Sequence, residues 1–129
     1  MNKPISSIMH RVLSPASMDD SVEEVEAQIQ AHHVSSAPVY DSDGAVLGIV
    51  TATDLLKFHA TGRDPKTVKA WEICTYRPIE VAPEASIAEV AELMLTHKIH
   101  HVVVMQGKSM VGIVSSLDFV RLFLDKNMT

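Results

Sequence analysis

Aromatic side chains are scarce in this 129-residue chain, which has three Phe, two Tyr and one Trp. Any core must therefore be aliphatic, and a hydrophobic content of 47% supplies one. That content also excludes intrinsic disorder, which sets in where too little apolar surface can be buried. One cysteine, Cys74, excludes an internal disulfide framework and fits a reducing cytoplasm. Positive charge is short as well, 11 Lys+Arg against 16 Asp+Glu, giving a net charge of −5. With no basic block and few aromatics, general nucleic-acid binding is not expected, because it needs many cationic phosphate contacts. A small anion held by local groups stays open. No apolar run approaches the roughly 20 residues that span a bilayer, and Met1 to Ser6 lack the apolar core of a signal peptide. The expectation is a cytoplasmic protein with no membrane partner. Dinucleotide, Walker A and nucleophile-elbow patterns are all missing. Without a nucleophile–base pair, no enzyme is expected.

What the sequence does contain is a repeat. Gly48-Ile49-Val50-Thr51-Ala52-Thr53-Asp54 returns 64 positions later as Gly112-Ile113-Val114-Ser115-Ser116-Leu117-Asp118. Upstream the offset is 65, pairing Ile8 with Ile73, Ser21 with Ser86, Glu24 with Glu89, His32 with His97 and Val39 with Val104. The offset changes between Asp41-Ser42-Asp43-Gly44 and Gln106-Gly107-Lys108, so the deletion falls in a turn. Ser21 to Glu24 and Ser86 to Glu89 each carry a capping box ahead of helically spaced apolar positions. Two β-rich runs follow in each copy, Ala37 to Tyr40 with Ala45 to Val50, and Val102 to Met105 with Ser109 to Val114. Short helices are expected at Asp54 to His59 and Asp118 to Leu124, and extended lead-ins near Val12 to Ala16 and Pro78 to Ala82. The expected fold is α/β (α+β), two pseudo-symmetric β-α-β-β-α repeats packed through their sheets. The first repeat would span 1–62, a connection 63–69 and the second repeat 70–129. A unit of this size buries too little surface to stand comfortably alone.

In each copy the repeated segment runs from a buried strand into a helix start. Thr51 lies at the strand exit and Asp54 in the first helical turn, so a hydroxyl, a carboxylate and free N–H groups converge. The carboxylate suits the hydroxyls of a ribose better than a phosphate. Equally, Thr51 and Asp54 could simply cap the helix.

Taken together, Ser21 to Ile29, Val34-Ser35-Ser36-Ala37-Pro38-Val39-Tyr40-Asp41 and the doubled Gly-x-x-Thr/Ser-x-x-Asp signature resemble a tandem pair of cystathionine β-synthase (CBS) domains, over about residues 5 to 125. The resemblance implies a pseudo-symmetric disc, commonly dimerised, with clefts between the repeats that bind adenosine nucleotides or related ligands. It implies regulation of a partner, such as an enzyme or transporter, more than catalysis. Thr51 and Asp54 would contact ribose in one cleft, Ser115 and Asp118 in the other. The first cleft would add Tyr76, Arg77, Pro78 and Ile79 as adenine walls, with Ile99, His100 and His101 on the phosphate side. For the second, the corresponding groups are Leu13 with its neighbours Val12 and Ser14, then Val34, Ser35 and Ser36. Ser35 and Ser36 bring hydroxyls but no cation, so the Asp54 cleft is expected to be the better anion binder.

Five of the seven histidines cluster as His32-His33 and His97-x-x-His100-His101. A helix ending near Lys98 would spoil the metal-binding spacing of His97 and His101, so no metal ligand set is assigned. Cys74 reads as a packing residue and Trp71 as packing the connection. Phe119, Val120, Phe123 and Leu124 suggest self-association through the second helices as a homodimer. The leading reading is a regulatory module whose ligand is an adenine nucleotide, with no other cofactor. The alternatives are a metal-responsive or stress-related histidine protein, and a structural interaction module with degenerate clefts.

Overall fold

Ser21 and Ser86 set the frame. Each accepts the backbone N–H three residues on, from Glu24 and Glu89 at 3.1 Å, and so starts a helix. The computed structural model describes residues 1–11 and 15–128, the last three without their side chains. The elements are β1 (Ala16–Ser17), α1 (Val22–His32), β2 (Ser36–Tyr40), β3 (Val46–Thr51), α2 (Ala52–Ala60), α3 (Ala70–Ile73), β4 (Thr75–Tyr76), β5 (Glu80–Val81), α4 (Ile87–His97), β6 (His101–Gln106), β7 (Ser109–Ser115) and α5 (Ser116–Met128). Helices α1 and α4 both end on a left-handed residue, His33 and Lys98, each with φ of 53°. Of the lead-ins, the structure forms β1 and β5; Val12, Leu13 and Ser14 lie outside the described residues.

Contacts divide the chain into two units, Val12–Pro78 and Met1–Arg11 with Ile79–Thr129. In the first, a four-stranded sheet runs β1-β2-β3-β4, with β1 parallel to β2 and the other pairs antiparallel. Val25, Val39 and Val50 are wholly buried in it. The stretch read as a connection is partly built in. Val68 is 2% exposed, packs with Val22 and Phe58, and its carbonyl accepts the Val22 N–H at 2.9 Å.

The second unit holds the sheet β5-β6-β7, again parallel then antiparallel. Ile87, Val90, Val102, Val104 and Val114 form its core with Ile5, a residue from the start of the chain. Ile5 donates its N–H to Ala85 at 2.7 Å, and His10 exchanges two 2.9 Å backbone hydrogen bonds with Ile113 on β7. His10 therefore plays the part of β4: by the repeat offset it corresponds to Thr75, which pairs with Ile49. Both sheets also shift register at the same place, between Val39 and Tyr40 and between Val104 and Met105.

Candidate functional site

The signature glycines explain why a flanking strand lies beside each signature turn. A Cβ on Gly48 would sit 2.3 Å from the Thr75 carbonyl oxygen, and one on Gly112 would sit 2.7 Å from that of His10. Glycine lets the flanking backbone close onto the strand, which places that same flanking residue, Thr75 or His10, next to the signature aspartate.

In the first unit, Thr51 is the N-cap of α2 and Asp54 its third residue. The Asp54 N–H donates to Thr51 Oγ1 at 3.3 Å, while Asp54 Oδ2 accepts from the Thr51 N–H at 2.8 Å and its hydroxyl at 3.0 Å. The capping role is thus real. The Thr75 hydroxyl donates to Oδ1 and Oδ2 at 3.0 and 3.1 Å. Thr75 is exposed and Asp54 half-buried. In the second unit, Asp118 Oδ2 accepts from the Ser115 N–H at 2.7 Å and its hydroxyl at 3.2 Å. Here the flanking donor is His10, whose Nε2 meets Asp118 Oδ1. Asp118 and Ser115 are only 5% and 6% exposed. The two turns share their backbone chemistry and differ in the flanking group, a hydroxyl in one and an imidazole in the other.

Ser36 is buried and stands opposite Thr51 in the sheet, with Val34 and Ser35 on its lead-in. Tyr76 is exposed and its hydroxyl meets the Trp71 carbonyl oxygen. Arg77 is exposed with φ of 51°, a conformation a non-glycine side chain rarely takes, and half-buried Pro78 closes the unit. In the second unit His101 stands opposite Ser115, as Ser36 stands opposite Thr51. His100 Nδ1 lies 3.4 Å from the Ser116 hydroxyl. The Ile79 carbonyl accepts the Val103 N–H at 2.9 Å, and Ile99 lines a cavity. Leu13 lies outside the described residues.

Sequence reasoning missed three groups. His10 stands apart from the histidine clusters, and only the repeat offset to Thr75 could have pointed to it. Lys57 and Arg63 line a cavity of about 220 Å³ together with Asp54 and Glu72, Arg63 being paired with Glu72 at 3.4 Å; their signal was faint, two cations after a signature aspartate. Helix α4 does end at His97, with Lys98 as its cap, and no three His, Cys, Asp or Glu side chains converge among the described residues. Burial pushes the Cys74 thiol's pKa up, against thiolate formation. Two expectations need correction. Trp71 is 42% exposed rather than packed away, since the position that the four-residue α3 turns inward is its neighbour Ala70. Phe119 is 8% exposed, drawn into the core beside Met94, so the open apolar face of α5 is made by Leu117, Val120, Phe123 and Leu124.

One β-α-β-β-α unit built twice around one kind of turn defines a tandem-repeat α/β module. The chain belongs to the CBS domain family, whose profile matches residues 5–60 and 70–125. It is 32% identical over 112 residues to the uncharacterized protein YlbB of Bacillus subtilis (strain 168), covering 86% of this chain and 76% of that one. Among solved structures, Hypoxic Response Protein I with two coordinated zinc ions matches at TM-score 0.76 and 25% identity, over 92% of this chain and 98% of that one. A hexameric CBS-CP12 protein from bloom-forming cyanobacteria matches at TM-score 0.83 and 28% identity, over 91% and 69%. As a CBS pair the chain is a regulatory module. None of its described helices is long and apolar enough to cross a membrane.

Proposed function

We propose that this CBS pair senses an adenine nucleotide, most strongly at the Asp54 turn, and passes the bound state to a partner protein without catalysis of its own. The observation that carries the reading is the difference between the two aspartates. Half-buried Asp54 has Oδ1 met by the hydroxyl of exposed Thr75, so a ribose hydroxyl can join or replace a neutral, solvent-accessible donor. Buried Asp118 has Oδ1 met by His10, and a ribose there must first displace an imidazole. Lys57, beside Asp54 in the same cavity, adds positive charge that an acidic chain otherwise withholds from a phosphate; Arg63 lines that cavity too, paired with Glu72 at 3.4 Å, and a phosphate would compete with that carboxylate for it.

Calorimetric titration with AMP, ADP and ATP tests this. Asp54→Ala is expected to remove the tighter binding event and Asp118→Ala to leave it. Two equivalent, phosphate-dependent sites would refute the asymmetry; no binding by any adenine nucleotide would refute the reading. His100→Ala and His101→Ala test the phosphate positions that the resemblance implies. We further propose that the second helices pair two copies of the chain. Leu56 and Val120 occupy equivalent positions on α2 and α5 and are 73% and 48% exposed, which favours a twofold apolar contact. Sedimentation of Leu56→Glu with Val120→Glu is expected to show monomer where the parent shows dimer.

A further inference from the structure

One carboxylate in the first unit faces two ways. Glu72 Oε1 lies 3.4 Å from Arg63 Nη2, and Glu72 Oε2 accepts the Lys69 N–H at 2.8 Å. Glu72 thus holds a cation of the cavity beside Asp54 with one oxygen and the start of α3 with the other. The Lys69 N–H, ahead of Arg63, keeps the Glu72 carboxyl below the usual carboxylate range, so it is charged at neutral pH. Helix α3 is a single turn, closed by the Cys74 N–H on the Ala70 carbonyl at 3.0 Å. Beyond it, on β4, the Thr75 hydroxyl meets Asp54. The α3–β4 segment is therefore tied to the cavity at both ends, by Glu72 on Arg63 and by Thr75 on Asp54.

The second unit builds the same turn without charge. By the repeat offset, Lys69, Ala70 and Glu72 correspond to Pro4, Ile5 and Ser7. Ile5–Ser7 form a turn of 3-10 helix, in which the Ser7 hydroxyl donates to the Pro4 carbonyl at 2.7 Å. The turn itself therefore needs no carboxylate. Nor does stability account for one, because an exposed ion pair adds little to it. A carboxylate and a phosphate do, however, compete for the same guanidinium, since both present oxygen pairs that match its N–H fork.

We infer that Glu72 stands in for a phosphate in the ligand-free chain: a phosphoryl group bound beside Lys57 takes Arg63 from it, and the freed carboxylate passes the bound state to α3 and Trp71. The inference rests on the nucleotide reading for its ligand and on the Arg63–Glu72 pair for its mechanism. Trp71 precedes Glu72 on α3, is 42% exposed and is the one tryptophan of the chain. A change in α3 therefore reaches the surface there, and the emission of the chain's indole reports it.

Calorimetry and Trp71 emission, read together on the intact chain with AMP, pyrophosphate and adenosine, test the inference. AMP and pyrophosphate are expected to shift the emission, and adenosine, which carries no phosphate, to leave it unmoved. Glu72→Gln keeps an acceptor for the Lys69 N–H and gives up the charge. It is expected to tighten AMP and pyrophosphate about threefold, the scale of an exposed ion pair, and to remove the emission shift. Arg63→Gln is expected to weaken both ligands about tenfold, the scale of a charge-assisted hydrogen bond. In that background Glu72→Gln is expected to bring no tightening. Both residues are exposed, so the fold tolerates either change. Equal tightening by Glu72→Gln with and without Arg63 would mean bare charge repulsion and overturns the inference. So does AMP that binds while Trp71 emission stays still, a result that leaves the nucleotide reading standing. If pyrophosphate shifts the emission and no adenine nucleotide binds, the nucleotide reading alone fails; if neither ligand binds, both fail.

Discussion

Removing each signature carboxylate separately should expose how differently the two turns use it. Asp118→Ala takes the acceptor from the buried Ser115 N–H, held at 2.7 Å, from the Ser115 hydroxyl and from His10. A buried donor left without a partner costs about 1–3 kcal/mol, so about 2 kcal/mol is expected. Asp54→Ala removes similar bonds, but the site is half-buried and water can replace the lost acceptor, as it can for exposed Thr75. The cost there is that of an ordinary helix cap, about 1 kcal/mol. Unfolding entropies near 2.1 cal/mol/K per residue make each kcal/mol worth about 4 °C of melting temperature in a chain of 129 residues. Thermal melts of the ligand-free proteins at pH 7 should therefore fall by about 7 °C for Asp118→Ala and about 4 °C for Asp54→Ala. With nucleotide at about 100 times its dissociation constant, the parent gains about 2.7 kcal/mol, about 10 °C. The Asp54 variant should lose that gain and the Asp118 variant should keep most of it. Equal losses without ligand, or a larger one for Asp54→Ala, would show that burial does not set the difference.

Other consequences are open to measurement. Gly112→Ala puts a Cβ 2.6 Å from Met9 Sδ and 2.7 Å from the His10 carbonyl oxygen, so overpacking should cost about 1–3 kcal/mol. Hydrogen exchange at the His10 amide should speed up with it; unchanged protection refutes the account of the signature glycine. Burial raises the Cys74 pKa, so its stabilising effect is whole below the unfolded-state pKa of about 8.5 and fades as pH rises toward the folded value. Urea melts at pH 7.5 and 9.5 should show a smaller alkaline loss for Cys74→Ala than for the parent, and parallel losses would count against it. Iodoacetamide should label Cys74 at pH 8 more slowly than it labels free cysteine. Labelling at the free-thiol rate would contradict its burial.

Much of this architecture is written locally. Ser21 and Ser86 announce their helices because a cap acts on an N–H three residues away, and the short β-rich apolar runs of β2–β3 and β6–β7, each pair broken by a turn, mark hairpins whose partners are adjacent. The turns carrying Asp54 and Asp118 were legible for the same reason, since strand exit, cap and carboxylate lie within seven residues. What was not legible depends on contacts between distant segments. Strand β4 is two residues long and α3 four, too short to show a period. The burial of Ile5 and Val68 follows from which unit each joins, and local composition does not decide that. Phe119 and Phe123 are four apart on one helix, yet one is buried and the other open.

The duplication makes the remaining differences informative, because each copy serves as a physical control for the other. Both copies keep what the backbone demands: the glycine under the flanking strand, the capping hydroxyl, the aspartate on the N-cap amide and the left-handed end of the first helix. They part at side chains that the backbone leaves free. Thr75 and His10 occupy one such position, and Glu72 and Ser7 occupy another. Shared residues therefore report the fold, capping included, and repetition of the signature alone says little about a ligand. Chemistry is better sought where the copies disagree. If exchanging the flanking residues, Thr75→His with His10→Thr, moved nucleotide preference from the Asp54 turn to the Asp118 turn, the flanking donor would be the determinant of which site binds. A preference that stayed at Asp54 would place the determinant in Lys57 and Arg63 instead.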